Sequence, residues 1–202
     1  MMLGFRSGGT ANKEVQLAKK GDKEAFAGLI EANKAQLYRV AKGIVFQDCD
    51  IEDAIQETIL KVWRGLSSLK RDDLFKTWLI RILINECYII LRQRNKGMEL
   101  AQNLAEQSCE TSTNQKIDVW NALKKLDVDM STVLILYYFE DISSKDIARI
   151  LEVPEGTVKS RLYRAKEKIG RILSEGEEEC ENGSKFETIK KPILANRNIS
   201  RN

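Results

Sequence analysis

Pro154-Glu155-Gly156-Thr157-Val158-Lys159-Ser160-Arg161-Leu162-Tyr163-Arg164-Ala165-Lys166-Glu167-Lys168 reads as one basic amphipathic helix. Pro154 suits the first helical position, where its missing N–H costs no hydrogen bond. Val158, Leu162, Ala165 and Ile169 recur at helical spacing and form a single apolar stripe. Lys159, Arg161, Arg164, Lys166, Lys168 and Arg171 surround a lone acid, Glu167. A cationic helix with an apolar back and small polar residues at its start has the build of a major-groove reader. Just upstream, Ser143-Ser144-Lys145-Asp146 has the serine-x-x-acid form of a helix cap, and Ile147, Ile150 and Leu151 supply an apolar face after it. A short break at Glu152-Val153 separates the two helices. Two short helices, a tight turn and a basic second helix describe a helix-turn-helix. The plain alternative is a helical hairpin with a solvated cationic face.

The rest of the chain is compatible with helices throughout. Hydrophobic residues make up 43% and charged residues 31% of 202 residues, a balance typical of globular helical material and long enough for one large domain or two small ones. Pro154 and Pro192 are the only prolines, so nothing interrupts long helices before the basic one. A net charge of +3 is too small to imply a nucleic-acid partner by itself. Its distribution is more informative. Asp48, Asp50, Glu52, Asp53 and Glu57 form one acidic block and Glu175 to Glu181 another, while cations gather in the basic helix, in Arg92-Gln93-Arg94-Asn95-Lys96, and from Lys185 to Arg201. Such segregation suits separate surfaces for separate partners, although solvated helix faces would look the same.

Several functions are disfavoured at this level. The chain has no histidine, and Cys49, Cys87, Cys109 and Cys180 form no C-x-x-C pair. Zinc binding and histidine acid–base chemistry lose their usual groups, and no nucleophile–base or metal-ligand cluster can be assembled. The expectation is therefore a protein that is not an enzyme and carries no cofactor or metal. Scattered thiols fit a reducing cytosol. Met1 to Lys13 lacks a signal-peptide apolar core and no run reaches transmembrane length, so the expected location is cytoplasmic.

The periodicity predicts two helical domains. Asp22 caps a helix bearing Phe26, Leu29, Ile30, Leu37, Ala41 and Ile44. Gln47-Asp48-Cys49 breaks it, and Asp50 is placed as the cap of the next. There Ile51, Ala54, Ile55, Thr58, Ile59, Val62 and Trp63 follow the i, i+3, i+4, i+7 rule, opposite Glu52, Asp53, Gln56, Glu57, Lys61 and Arg64. A polar loop from Gly65 to Asp73 leads to a third helix near Leu74 to Arg94. Gly97 to Gln115 is polar and is read as a flexible linker, with a helical turn allowed at Met98 to Ala105. The helical pattern resumes at Ile117 and runs to Leu173. The expected division is an N-terminal extension over 1–21, domains over 22–96 and 117–173 joined by a 97–116 linker, and a disordered tail over 174–202. The fold class is all-α.

In two places the residues resemble a known family, the extracytoplasmic-function (ECF) sigma factors of the sigma-70 family. The second domain is similar to their minus-thirty-five-binding domain through Ala122-Leu123-x-x-Leu126, Tyr137-Tyr138-Phe139-Glu140-Asp141, Asp146-Ile147-Ala148 and Pro154-x-Gly156-Thr157-Val158-Lys159-Ser160-Arg161, followed by Arg164-Ala165. The first resembles their core-binding and minus-ten-binding domain through Asp53-x-x-Gln56-Glu57-x-x-x-Lys61-Val62-Trp63, Phe75-x-x-Trp78-Leu79-x-x-Ile82 and Asn85. The order and separation of these segments carry more weight than any one of them. The chain departs from the family at Glu152, where a turn glycine is usual, at Ile89, which replaces a frequent acid, and at Leu83, which replaces a common alanine. A non-glycine residue at 152 would have to adopt any left-handed conformation needed there.

The resemblance implies a promoter-specificity subunit that binds core RNA polymerase, reads minus-thirty-five and minus-ten elements in duplex and single-stranded DNA, and starts transcription of a stress-responsive regulon. It implies that Asp53, Gln56, Glu57 and Lys61 grip the polymerase clamp, and that Leu66 to Lys76 encloses an extruded base. Asn85 offers amide donors and an acceptor for a base edge, and Arg81, Arg92 and Arg94 could neutralise phosphates, with Phe75 grouped at the same minus-ten surface. A helix-surface amide is the competing reading of Asn85. Trp63 and Trp78 are read as core. In the basic helix, Lys159, Ser160, Tyr163 and Arg164 are assigned to the groove, with Thr157 and Lys168 beside them; Thr157 and Ser160 can fix a phosphate at the helix N-terminus. The resemblance further implies control by an anti-sigma factor, membrane-anchored in some cases, and no small-molecule substrate. The alternative is a polymerase-independent helix-turn-helix regulator.

Overall fold

The computed structural model describes residues 8–101 and 119–175. All the regular elements among them are helical. The chain divides into two compact units, Met1–Ile90 and Leu91–Asn202.

In the first unit, α1 (Gly8–Lys19) leads into α2 (Lys23–Lys42), α3 (Asp48–Gly65) and the start of α4 (Phe75–Ala101), which runs on past Ile90. Asp22 caps α2 as expected, its carboxylate accepting from the backbone N–H groups of Glu24 and Ala25 at 3.0 Å each. The next cap differs from expectation. α3 begins at Asp48, three residues early, Gln47 is its N-cap with no side-chain bond, and Asp50 lies in the first turn. Carboxylates there still favour the positive end of the helix. The expected apolar stripe does build the core: Ile51, Ala54 and Val62 are fully enclosed together with Leu37, Leu79 and Leu83. Thr58, buried on that stripe, donates to the Ala54 carbonyl at 2.6 Å, so its hydroxyl is not orphaned.

Two findings change the expected boundaries. Residues from Gly8 onward do not form a separate extension, because α1 packs on α2 with Val15 and Ala18 buried. Gly21 ends α1 in the left-handed region at φ 94, a conformation that suits a residue without Cβ. α4 continues to Ala101, past the Gly97 at which the tether was expected to start. The remainder of the tether, residues 102–118, lies outside the described residues, as does the tail beyond Glu175.

The polar loop between α3 and α4 is two 3-10 turns, Leu66–Ser68 and Asp72–Leu74, separated by an extended stretch. Leu66 is buried beneath it. A Cβ on Gly65 would lie 3.3 Å from the Trp78 ring, so glycine lets that indole close under the turn.

The second unit holds α5 (Val119–Lys124), α6 (Val128–Tyr138), α7 (Ser144–Leu151) and α8 (Glu155–Glu175). Ser143 caps α7 by accepting from the Asp146 N–H at 3.1 Å, while its hydroxyl donates to the Asp146 carboxylate at 2.7 Å. Pro154 stands one residue before α8, its carbonyl accepting from Thr157 and Val158. Glu152 takes the left-handed conformation at φ 54, ψ 42 where the family has its usual glycine. Val158, Leu162, Ala165 and Ile169 are buried, as their spacing required, against a core that includes Val133, Ile135, Leu136 and Ile147.

Candidate nucleic-acid interface

With the apolar stripe of α8 turned inward, Gly156, Ser160, Tyr163 and Arg164 emerge together on the opposite side. Tyr163 is 66% exposed, its ring standing clear of the α8 core stripe. The Ser160 hydroxyl donates to the Thr157 carbonyl at 3.0 Å. Lys159 pairs with Glu155 at 2.9 Å one turn back. Glu155 also accepts from the Ser144 hydroxyl at 3.1 Å, so it links the start of α7 to α8. Those two hydrogen bonds, Lys159 first, hold the Glu155 carboxyl below its usual value.

The flank of α8 has a different use. Arg161 forms an ion pair with Asp129, and Lys168 reaches Asp127 at 3.4 Å. Asp127 is the N-cap of α6 and Asp129 lies in its first turn. Two α8 cations are thus tied to the positive end of a neighbouring helix by two carboxylates. Lys168, expected at the groove, is oriented by this contact toward α6.

On α3, Asp53, Gln56 and Glu57 are exposed side by side at i, i+3, i+4 spacing. Leu60 joins them at 46% exposed. Sequence reading passed over Leu60, although its place off the apolar stripe was a usable signal. Trp63, expected in the core, is 39% exposed, with one edge against Phe26 at 4.8 Å between ring centroids. Lys61 is directed differently from its neighbours: its ammonium contacts both oxygens of Glu86 at 2.6 and 2.7 Å. The Glu86 side chain is only 8% exposed, so Lys61 neutralises a largely buried carboxylate on α4.

On α4, Asn85 is exposed, and Arg81 and Tyr88 lie on the same side at i−4 and i+3. Tyr88 was not singled out from sequence; its spacing from Asn85 was the available clue. Phe75 departs from expectation. It is 4% exposed and its ring sits 6.4 Å from that of Trp78, so it belongs to the core and offers no free face for a base. Arg92 and Arg94 are both exposed on later turns, but at about 100° per residue they point to different sides of the helix. Cys87 is fully buried, and burial pushes its thiol up to about 12. It is a small core hydrophobe rather than a reactive group. No helix among the described residues is long and apolar enough to cross a membrane.

One unit thus exposes a basic helix and the other an acid-amide face, the arrangement that the sequence resemblance led us to expect. Comparison with known proteins gives the family. The profile for sigma-70 region 2 matches residues 29–97, and that for sigma-70, region 4 matches residues 116–169. The ECF RNA polymerase sigma factor SigM of Mycobacterium tuberculosis is 33% identical over 157 residues, covering 76% of this chain and 79% of that protein. SigW of Bacillus subtilis, also an ECF RNA polymerase sigma factor, is 26% identical over 178 residues, covering 80% and 95%. Among solved structures, CnrH in complex with the cytosolic domain of CnrY aligns with a TM-score of 0.64 at 25% identity, over 81% of this chain and 97% of that one. The sigma factor RpoE in complex with the anti-sigma factor NepR from Bartonella quintana aligns with the same TM-score at 27% identity, over 74% and 96%. The chain belongs to the ECF sigma factors of the sigma-70 family.

Proposed function

We propose that this sigma factor docks on core RNA polymerase through Asp53, Gln56, Glu57 and Leu60, and reads a promoter with its two units. The carrying observation is the exposed acid-amide face of α3, which stands outward while Ile51, Ala54, Thr58 and Val62 anchor the helix in the core. The second unit meets minus-thirty-five duplex DNA with Ser160, Tyr163 and Arg164 in the groove. Thr157 and Lys159 flank them, and Lys159 exchanges its exposed Glu155 contact for phosphate or a base edge. Losing a good bidentate base contact of Arg164 costs about 1–3 kcal/mol of discrimination.

The first unit captures an unstacked minus-ten base with Asn85 and the loop between α3 and α4, while Arg81, Arg92 and Arg94 meet phosphates. Melting then draws on binding energy, and the protein needs no catalytic step of its own. The working location is cytoplasmic, and the regulon is a stress-responsive one. The partner seen with RpoE supports control by an anti-sigma factor, and a cytosolic domain as the partner of CnrH supports one anchored at the membrane.

Size-exclusion chromatography with core RNA polymerase tests the docking face. The wild-type chain should co-elute with core, and Glu57→Lys should not, although it keeps its thermal stability. Co-elution of Glu57→Lys at wild-type stoichiometry would remove α3 from the interface.

A further inference from the structure

The chemistry of the minus-ten surface has a support that lies outside it in the sequence. Lys19, at the end of α1, donates to the Leu69 carbonyl at 2.5 Å and also pairs with the Asp72 carboxylate. Gln16, one turn earlier, donates to the other Asp72 oxygen at 3.2 Å. Both ionic side chains are largely covered, Lys19 at 21% and Asp72 at 19% exposed.

The two anchor points bracket the part of the loop that lacks helical hydrogen bonding. Leu69 closes the first 3-10 turn with extended backbone at ψ 109, and Arg71, also extended at ψ 114, precedes the second. Between them Lys70 and Arg71 are exposed, Arg71 being steadied by Asp73 through hydrogen bonds of 3.1 and 2.5 Å. A single ammonium therefore fixes the start and the end of the extended stretch relative to a helix whose own position is set by buried Val15 and Ala18. Hydrogen bonding to Lys19 is also the main reason the Asp72 carboxyl lies below its usual value.

We infer that Lys19, with Gln16 and Asp72, is a latch that positions the loop between α3 and α4 and so sets minus-ten base preference without touching DNA. This rests on the reading of that loop as the base-enclosing element. An extended segment tethered at one end samples many conformations. Tethered at both, it presents a shaped edge that can favour one base over another.

The test uses holoenzyme made from core RNA polymerase and the full chain, transcribing a barcoded template pool randomised upstream of the start. Wild type, Lys19→Met, Lys19→Arg and Asn85→Ala are compared for base preference at each upstream position. Lys19→Met should flatten preference at a minus-ten position by about tenfold, the scale of one lost base-edge interaction. Its minus-thirty-five preference should be retained despite the modest fall in melting temperature that loss of a largely covered ion pair brings, and Lys19→Arg should preserve the wild-type pattern. Unchanged minus-ten preference in Lys19→Met, with Asn85→Ala still flattening it, would overturn the latch and leave the minus-ten reading standing. Equal loss at both elements with a lowered melting temperature would make Lys19 a folding residue only and also overturn it. If neither variant alters minus-ten preference, the minus-ten reading itself fails and takes the latch with it.

Discussion

Glu152 shows how one residue can be foreseen as a strain point and still fold well. It sits at φ 54 between α7 and α8, where a side chain crowds the following carbonyl. The left-handed conformation costs about 1–2 kcal/mol for a residue with a Cβ, and glycine returns part of that through its freer unfolded chain. Glu152→Gly should therefore stabilise the second unit by about 0.5–1 kcal/mol, measured by urea denaturation. At Lys61 less was legible. Its spacing put it on the outer face of α3, but spacing cannot show that Glu86, 25 residues on, is buried within its reach. Lys61→Met leaves that carboxylate unpaired, and because the ammonium is 45% exposed the loss should be about 1–2 kcal/mol rather than that of a fully buried pair. Weakened polymerase binding in Lys61→Met should accordingly track lost stability, whereas Glu57→Lys should separate the two. Cys87 gives a third check. With its thiol pushed up to about 12 and no solvent access, it should resist alkylation in the native protein at mildly alkaline pH while exposed Cys49 reacts, as read by peptide mass mapping.

At the scale of elements, amphipathic helices were legible because burial follows spacing. The stripe of α8 went inward at Val158, Leu162, Ala165 and Ile169, and that of α3 at Ile51, Ala54, Thr58 and Val62, while Ile55 and Ile59 are half-buried and Trp63 at its end is exposed. The Asp22 and Ser143 caps were legible for the same local reason: their partners lie within three residues. α1 was missed because its buried contribution is small, Val15 and Ala18, and glycine and polar residues dominate the sequence leading into it. Phe75 was misplaced because a motif position does not fix which way a ring turns. The basic face of α8 was also only half legible. Composition counts its cations equally, yet Arg161 and Lys168 serve the packing of α8 on α6 through Asp129 and Asp127. The two classes of arginine should separate by experiment. Arg161→Ala should cost about 1 kcal/mol of stability, since it removes a 25%-exposed ion pair and its packed stem. Arg164→Ala should leave stability unchanged and lose binding to minus-thirty-five duplex. Equal melting temperatures for both variants would contradict this division of α8.

For the whole molecule, function depends on two units that are each complete as a fold. In the proposed account the first offers an acid-amide face and a minus-ten surface, and the second offers a groove helix. Neither holds a catalytic constellation in the proposed account, so specificity must come from both acting on one promoter through the polymerase. A regulator that bound duplex DNA without polymerase would leave the exposed Asp53-Gln56-Glu57 face without a use. The most direct measurement is run-off transcription by purified bacterial core RNA polymerase on a fragmented genomic library, with and without this protein. Discrete new start sites that appear only with the protein, and vanish with either Glu57→Lys or Arg164→Ala, are the expected result. No new starts, together with sequence-specific duplex binding that persists without core, would contradict the account.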